Sequence, residues 1–249
     1  MNEKRVTELS IIANKVRKNA LTAVYSANSG HPGGSLSVAD LLTLLYFEVM
    51  NVDPKNPKAE DRDRFVLSKG HCAPALYGVL AEKGYFPVED LKTFRHTDSY
   101  LQGHPDMNKV PGVDMSTGSL GQGVCVAGGM ALAGKLDNLT VFVDFNGLQI
   151  DGDITKVMNP TPIDKKFEAF GWHVIVTDAH DFNKLLEAVE EAKATKGQPT
   201  AVIMKTTKGK NVSFMENNAG WHGMAPNEEQ YNQAIAELDA IIAKLEGDL

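Results

Sequence analysis

Apolar residues recur at helical spacing early in the chain and in short continuous runs later. Between residues 3 and 23 they fall every three or four positions, which predicts an amphipathic helix. A nearly all-apolar stretch at 38–50 predicts a second helix, capped by Ser37, that must be buried on most sides or packed against a partner. Strands are predicted at 64–67, 139–144, 172–176 and 201–205, and further helices at 74–83, 87–94, 124–136, 163–170, 181–195 and 227–245.

This alternation of strands and helices predicts an α/β fold, a parallel sheet with helices on both faces. No repeat or low-complexity linker interrupts the pattern, so we expect a single domain over residues 1–249. Long segments without periodicity at 95–115 and 206–226 are the predicted loops, and irregular segments of that length are usually functional or mobile.

The composition excludes several classes of function. A net charge of −7 leaves no clustered basic excess to neutralise phosphates, which argues against a nucleic-acid partner. No apolar run approaches the roughly 20 residues of a membrane helix, and the first residues lack the features of a signal peptide. We therefore expect a cytoplasmic protein without a membrane partner. Cys72 and Cys125 lie far apart in apolar helical contexts, which predicts reduced core thiols.

Four of the seven histidines stand beside glycine or proline in predicted loops, namely His31, His71, His104 and His222. A glycine-flanked loop lets the backbone and the imidazole approach a ligand together, and neutral imidazole can donate to phosphate or carry a proton. One such histidine is most often a turn residue, but four together favour a site. His96, His173 and His180 lack this setting and are assigned structural roles.

Other chemistries find little support. The chain has no His-x-x-x-His or Cys-x-x-Cys spacing for zinc and no Gly-x-Ser-x-Gly elbow for a serine nucleophile. Asp144, Asn146 and Asp151 follow a predicted strand and could bind Mg²⁺, although Asn-Gly and Asp-Gly are also common turn pairs. Lys205, Lys208 and Lys210 could steer a phosphorylated substrate, but a solvated loop face is the simpler interpretation.

Six motifs occur together in the order found in transketolases, and the chain is similar to the thiamine-diphosphate-binding half of that family. It resembles the short N-terminal subunit of bacterial split-gene forms, in which the remaining domains are a separate polypeptide. The resemblance extends over residues 6–245. The motifs are Ser-Gly-His-Pro-Gly-Gly at 29–34, Leu-Ser-Lys-Gly-His at 67–71, Gly-His-Pro at 103–105, Thr-Gly-Ser-Leu-Gly-Gln-Gly at 117–123, the segment 146–152, and Asn-Ala-Gly-Trp-His-Gly at 218–223.

The resemblance implies a role for each matched position. His31 and His104 would contact the donor sugar, and His71 and His222 would lie near the diphosphate, with His222 also transferring a proton. The backbone of Gly118, Ser119 and Leu120 would hold the aminopyrimidine ring. Asn146, by its side chain, and Leu148, by its carbonyl, would be the Mg²⁺ ligands.

The implied activity is that of the pentose phosphate pathway, in which a two-carbon ketol unit moves between sugar phosphates. The implied assembly is a heterotetramer, in which N-terminal subunits contact each other and bind a C-terminal transketolase subunit. That second subunit carries the glutamate that activates the aminopyrimidine, so this chain alone should not turn over.

The chain departs from the family between the helix at 124–136 and the strand at 139–144. Relatives carry one more strand and helix there, roughly 30 residues by the usual size of such units. A Gly-Asp-Gly motif in that unit supplies the family's carboxylate ligand to the metal. We therefore expect a fold shortened by one strand and one helix, and weak or absent cofactor binding. A natural excision at Lys135-Leu136-Asp137, an engineered one, and the omission of a disordered segment at that point would each give the same sequence.

Two other interpretations remain. The chain could be a non-catalytic transketolase-like protein that keeps the fold and the partner surface but has lost cofactor binding. Deoxyxylulose-phosphate synthase chemistry is a related possibility, which the motif at 218–223 and the chain length disfavour.

Overall fold

A computed structural model describes residues 1–133 and 138–249. The first two helices, α1 (Glu3–Ser26) and α2 (Pro32–Leu44), pack against each other, and α1 also packs against α3 (Ala73–Lys83). The helix predicted at 3–23 is confirmed and runs three residues further. Asn2 caps α1 by accepting a hydrogen bond from the backbone N–H of Arg5.

Helix α2 begins six residues earlier than the sequence pattern predicted. Pro32 occupies its first turn, where its missing N–H costs nothing and its fixed φ suits a helix. Ser37 therefore lies inside the helix instead of capping it. Its hydroxyl donates to the Asp144 carboxylate at 2.6 Å, and the carbonyl of Gly34 is a second, longer acceptor at 3.1 Å. The α-helix ends at Leu44, and a π-helical turn, Leu45–Val49, continues it.

The sheet is parallel, as predicted. Within the described residues it has three strands, β1 (Thr140–Phe145), β4 (His173–Asp178) and β5 (Thr200–Lys205), in the order β1-β5-β4. Val143 lies opposite Ile203, and Ile175 lies opposite Val202. A small antiparallel pair, β2 (Leu148–Gln149) and β3 (Gly152–Asp153), follows β1 within the loop predicted at 146–152.

The strand predicted at 64–67 is wrong. These residues do not form a strand, and backbone groups of Phe65 and Leu67 bond instead to side chains. The amide of Phe65 donates to Asp114, and the carbonyl of Leu67 accepts from the hydroxyl of Thr117. A strand needs a neighbouring backbone to pair with, and within the described part of the chain none lies beside this segment in a sheet.

The other predicted helices are present in order as α4 (Gln122–Ala133), α6 (Ile163–Ala169), α7 (Phe182–Ala194) and α8 (Glu228–Gly247), with a 3₁₀ turn at Val88–Thr93 in place of the predicted helix at 87–94. A short helix that was not predicted, α5 (Ile154–Val157), lies between β3 and α6. Asp181 caps α7 as expected. Asn227 and Gln230 form a reciprocal capping box at the start of α8. The last residues of the helix predicted at 124–136 lie outside the described residues.

The apolar helix at 38–50 is covered by the chain itself. Leu41, Leu42, Leu44 and Tyr46 belong to a core cluster that reaches from α1 to β5. Since this helix is already buried, it gives no separate argument for self-association. None of the described helices is both long and apolar enough to cross a membrane.

Helix α4 is much less covered than its composition suggests. Of its residues only Gly123 and Ala131 are buried, and Leu132 is 69% exposed. Cys125 is exposed, so its predicted place in the core is wrong, whereas Cys72 is buried as expected. An apolar helix normally lies within a core, so one face of α4 lacks a neighbour within the described part of the chain.

Candidate functional site

Three of the four histidines picked out by their glycine neighbours meet in one cluster. The ring centroids of His31 and His71 are 5.0 Å apart, those of His31 and His222 are 5.4 Å apart, and those of His71 and His222 are 5.2 Å apart. His31 is the N-cap residue of α2, His71 lies in the 3₁₀ turn Gly70–Cys72, and His222 ends the turn Ala219–Trp221. Segments almost 200 residues apart thus build one site.

Glycines allow the start of α2 to contact the turn of His222, and the turn of His71 to contact the loop before α4. A Cβ on Gly33 would lie 2.8 Å from the carbonyl oxygen of Trp221, and a Cβ on Gly70 would lie 2.7 Å from the backbone of Thr117. Contacts this short leave no room for a side chain, so glycine is required for the backbones to touch. The start of α2 therefore rests directly on the turn that carries His222.

The imidazoles in the cluster are held neutral. Burial, with the nearby His31 and Lys69, lowers the pKa of His71 to about 3. Burial, with the ammonium of Lys208, lowers the pKa of His222 to about 4. The pKa of His31 is lowered by burial and by the guanidinium of Arg95. Neutral imidazoles can both donate and accept hydrogen bonds at pH 7.

Lys208 belongs to this site, so its interpretation as part of a solvated loop face is wrong. Only 3% of the residue is exposed, and its ammonium lies 3.0 Å from Nδ1 of His222. Burial lowers the pKa of Lys208. Arg95 is a second cation that sequence reasoning missed. It has φ of 63°, its guanidinium packs over Gly103, and no sequence pattern marks it as a site residue.

His104 packs against the loop that precedes α4. A Cβ on Gly118 would lie 3.3 Å from Cδ2 of His104. Burial and Arg95 lower the pKa of His104, and its charge would in turn lower the pKa of His31 and His71. Ser119 and Leu120 follow in the same loop, and Leu120 is 70% exposed. This part of the loop is thus accessible from outside the chain.

Asp144, at the end of β1, is fully engaged by protein groups. Its carboxylate is buried and bonds to the ammonium of Lys69 and the hydroxyls of Ser37 and Thr206. Burial acts to raise the pKa of Asp144, but Lys69 and the hydroxyls hold it below its usual value. Lys69 directly precedes the turn of His71, so this ion pair attaches the end of β1 to the histidine cluster.

Asn146 and Leu148 lie just beyond this ion pair. Oδ1 of Asn146 accepts a hydrogen bond of 3.0 Å from the amide of Leu148, which closes a turn, and Leu148 pairs with Asp153 across β2 and β3. The turn chemistry considered for Asn146 is therefore present. Both residues offer a neutral oxygen. Asp151 is exposed in the same loop, at the turn between β2 and β3.

The donor set fits a phosphate-bearing group better than a metal ion. Nδ1 of His31 is buried without a hydrogen-bond partner in the described part of the chain, so a ligand could satisfy it. The lowered pKa values of the histidines reflect burial and nearby cations, a field that favours an anion. For a divalent cation the fit is poor. No group of three or more metal-binding His, Cys, Asp or Glu occurs among the described residues.

His180 is part of a buried network beside the site, not an isolated structural histidine. Its Nδ1 lies 2.7 Å from Asp40, and its Nε2 accepts a hydrogen bond of 2.9 Å from the amide of Thr207. Asp40 in turn forms a buried ion pair with Arg17 at 2.5 Å. Thr207 precedes Lys208, so the network holds the backbone next to the cation of the site.

Comparison with known proteins identifies the family. The family model described as "Transketolase, thiamine diphosphate binding domain" matches residues 9–136 and 130–239. The chain is 41% identical over 273 residues to the 6-deoxy-6-sulfo-D-fructose transketolase subunit SqwG of Clostridium sp. (strain MSTE9), covering 96% of this chain and 98% of the relative. It is 38% identical to an apulose-4-phosphate transketolase subunit of Phocaeicola vulgatus, covering 97% and 98%.

The fold agrees with these sequence relationships. The structure matches the solved transketolase of Campylobacter jejuni with a TM-score of 0.86 at 30% identity. The match covers 98% of this chain and 46% of that chain, so the present chain spans less than half of the solved enzyme. The predicted α/β class is confirmed by this match. The chain belongs to the transketolase family and corresponds to its thiamine diphosphate binding domain.

Proposed function

We propose that this chain is the N-terminal subunit of a transketolase that transfers a two-carbon ketol unit between sugar phosphates and requires a separate C-terminal subunit. The observation that carries the proposal is the cluster of His31, His71 and His222, held neutral beside Lys208. Relatives that the chain matches over nearly their whole length are named as transketolase subunits, which supports a partner chain for this one.

Within this proposal, thiamine diphosphate would supply the electron sink for the transferred unit. His71 and His222 would donate hydrogen bonds to the diphosphate, and Lys208 would balance its charge. His31 and His104 would contact the donor sugar, and His222 would transfer a proton. The loop at Gly118, Ser119 and Leu120 supports the aminopyrimidine, and its exposure is compatible with a partner subunit that covers the ring.

Magnesium would be held weakly in this chain. Asn146 and Leu148 are its proposed ligands, and both are neutral. Asp144 is engaged by Lys69 and two hydroxyls, and therefore does not replace a carboxylate ligand. Mg²⁺ usually binds through one or two carboxylates together with substrate phosphates. Losing one charged ligand costs on the order of 10²-fold in affinity.

The lack of a charged ligand at this metal site favours a second candidate function, a non-catalytic subunit that keeps the fold and the partner surface. Among the described residues no group of three or more His, Cys, Asp or Glu could hold a metal, and Asp144 is engaged by Lys69, so metal-dependent cofactor binding could be lost altogether. The two candidates differ in whether the histidine cluster still binds the diphosphate.

Isothermal titration of the chain with thiamine diphosphate separates the candidates, with and without Mg²⁺. The enzyme subunit predicts weak binding, weaker than micromolar, that His71→Ala and His222→Ala abolish. The non-catalytic subunit predicts no binding in either condition. Micromolar or tighter binding that depends on Mg²⁺ would contradict the proposed metal site, because it requires a further carboxylate ligand.

Activity is then measured in the presence of a C-terminal transketolase subunit. His71→Ala and His222→Ala should reduce turnover by about 10²-fold or more, as loss of a positioned hydrogen bond or proton carrier commonly does. His173→Ala is the matched control, since His173 lies at the start of β4 and its side chain bonds to Glu191, away from the cluster. Equal losses at all three positions would contradict the assignment.

A further inference from the structure

The guanidinium of Arg95 lies between the two loops that carry His31 and His104. Nη1 of Arg95 donates a hydrogen bond of 3.3 Å to the hydroxyl of Ser29, which precedes His31 in its loop. The guanidinium also packs against Gly103, where an added Cβ would lie 2.7 Å from Cζ and 2.9 Å from Nε. Gly103 directly precedes His104. One side chain therefore contacts both histidine loops.

The backbone of Arg95 has a conformation that is uncommon outside glycine. Its φ is 63°, in the left-handed region. Its amide donates a hydrogen bond of 2.9 Å to the carbonyl of Leu101, a fully buried residue, which closes the segment 95–101 into a loop. Such conformations are unfavourable and persist where the surrounding contacts determine them, often at functional sites. The closed loop brings Arg95 beside Gly103.

The same two loops also rest on buried aromatic residues. Phe94 is fully buried, and a Cβ added to Gly30 would lie 3.3 Å from its ring. Tyr77 is likewise fully buried, and its hydroxyl donates a hydrogen bond of 3.1 Å to the carbonyl of His104. Each of these two contacts involves one of the loops, whereas Arg95 contacts both.

The charge of Arg95 acts on both histidines. Burial and then Arg95 lower the pKa of His104, and they are also the main causes that lower the pKa of His31. The other charged groups that act on His31 are His104 and Lys208. Arg95 bonds to a neutral hydroxyl, and its Nε is buried without a hydrogen-bond partner in the described part of the chain. A guanidinium bonded to a neutral group keeps its field, so it opposes protonation of both imidazoles.

We propose that Arg95 is a positioning residue: it holds the loops of His31 and His104 at a fixed spacing, and through them it sets the affinity for the donor sugar. The sugar in this inference rests on the proposed function, whereas the connection between the loops is a property of the chain alone. Lysine would keep the charge but lacks the planar group that contacts both loops. Replacement of Arg95 by lysine therefore separates the effect of charge from the effect of contact.

The connection between the loops is tested by NMR on a double-mutant cycle. Gly103 does not have a positive φ, so its backbone accepts alanine, and the three atoms nearest to the new Cβ all belong to Arg95. We expect Gly103→Ala to displace the guanidinium and to shift the amide resonances of Ser29 and His31 in the other loop. The same substitution made in the Arg95→Ala chain should not shift them further. Gly129→Ala, whose Cβ would meet nothing within 4 Å, is the control and should leave them unchanged.

An NMR titration of the same chains separates charge from contact. Arg95→Gln should raise the pKa of His31 and of His104 by about 0.5 or more, because a nearby cation is lost. Arg95→Lys keeps the cation and should leave both pKa values low. Arg64→Gln removes an exposed guanidinium that bonds to backbone carbonyls, and it should change neither pKa. A lower Tm of Arg95→Gln with both pKa values unchanged would show a merely structural role and overturn the proposal, as would amide shifts from Gly103→Ala that are absent or independent of Arg95.

The effect on the sugar is measured with a C-terminal transketolase subunit at saturating thiamine diphosphate. We expect both Arg95→Lys and Arg95→Gln to raise the KM for the donor sugar about tenfold and to lower kcat less, since Arg95 acts through His31 and His104. Arg64→Gln should leave the KM unchanged. An unchanged KM in both Arg95 variants would overturn the proposal. If even the unmodified chain does not turn over, the proposed transferase function fails, and the NMR results alone decide whether Arg95 connects the two loops.

Discussion

At the scale of residues, the site depends on imidazoles that stay neutral among buried cations. His71 and His222 have pKa values of about 3 and about 4, far below the usual value of 6.5. Between pH 6.5 and about 4 the unfolded chain therefore binds protons that the folded chain does not. Stability rises with pH wherever the unfolded state binds more protons, so these two groups destabilise the fold as the pH falls through this window.

This linkage predicts the effect of removing one imidazole. We expect the midpoint of urea unfolding of His71→Asn to decline less than that of the unmodified chain between pH 7 and pH 5. His173→Asn, at a partly exposed position paired with Glu191, serves as the control and should keep the original decline. The same pH dependence in all three chains would show that acid destabilisation arises elsewhere.

A second residue-scale prediction concerns His180. The amide of Thr207 donates to its Nε2, so its proton lies on Nδ1 and is donated to Asp40. His180→Ala leaves a buried amide without a partner, which costs about 1–3 kcal/mol. We also expect the pKa of His222, measured by NMR, to rise toward its usual value, because Thr207 no longer holds the backbone beside Lys208.

The NMR readout separates positioning from simple stability. A purely structural role for His180 predicts a lower Tm with no change in the pKa of His222. His173→Ala removes a histidine whose partly exposed ring contacts Glu191, and it should change neither quantity appreciably. Sequence reasoning assigned structural roles to both His173 and His180, whereas their surroundings predict different effects when each is replaced by alanine.

At the scale of elements, the approach of α2 to the turn Ala219–Trp221 sets the geometry of the site. Gly33 lies in the first turn of α2. A Cβ added to it would lie 2.8 Å from the carbonyl oxygen of Trp221, and its own carbonyl accepts a hydrogen bond from the amide of Gly209. This contact is between backbones, so it cannot be relieved by moving a flexible side chain. It explains why a glycine is tolerated inside a helix, where it normally costs about 1 kcal/mol.

Two similar glycine substitutions are therefore expected to change the free energy of unfolding in opposite directions. Gly33→Ala should destabilise the chain by about 1–3 kcal/mol through overpacking and weaken thiamine diphosphate binding. Gly128→Ala in α4 has open space around the new Cβ and should stabilise by up to about 1 kcal/mol through helix propensity. Thermal unfolding checks both. A neutral or stabilising Gly33→Ala would show that the two backbones are not in contact in solution.

At the scale of the whole molecule, the chain spans nearly all of its relatives that are named as subunits and 46% of a solved transketolase. The prediction of one domain over residues 1–249 has not been tested and stays a prediction. Self-association also stays a prediction, and it now rests on the family resemblance, because the helix that first suggested it is covered by α1 and α3.

Assembly is checked by light scattering on the chain alone and after mixing with a C-terminal transketolase subunit. We expect a dimer of the isolated chain and a larger complex with the partner. The loop from Gly118 to Leu120 is the exposed part of the proposed cofactor site, so Leu120→Asp should weaken the complex more than Val176→Asp on β4. A monomer that forms no complex would contradict both the self-association and the partner.

Local patterns were enough to determine much of the architecture. The apolar spacing of α1, the Asp181 cap of α7 and the alternation of strands and helices each depend on neighbouring residues, so the sequence alone placed these elements within a few positions. Glycine neighbours likewise picked out His31, His71 and His222, because a histidine that approaches a ligand from a loop needs small residues beside it.

Other features depend on contacts between residues that are far apart in the chain. Lys208 is buried because the turn of His222 folds over it, and His180 is tied to the site through Thr207, contacts that no local pattern encodes. The segment 64–67 has the composition of a strand but lacks a strand neighbour in the described sheet, since strand formation requires a second backbone. Neighbouring residues suffice to predict the class of fold and three of the site histidines, whereas packing between remote segments sets the charge state of those histidines and supplies the cations beside them.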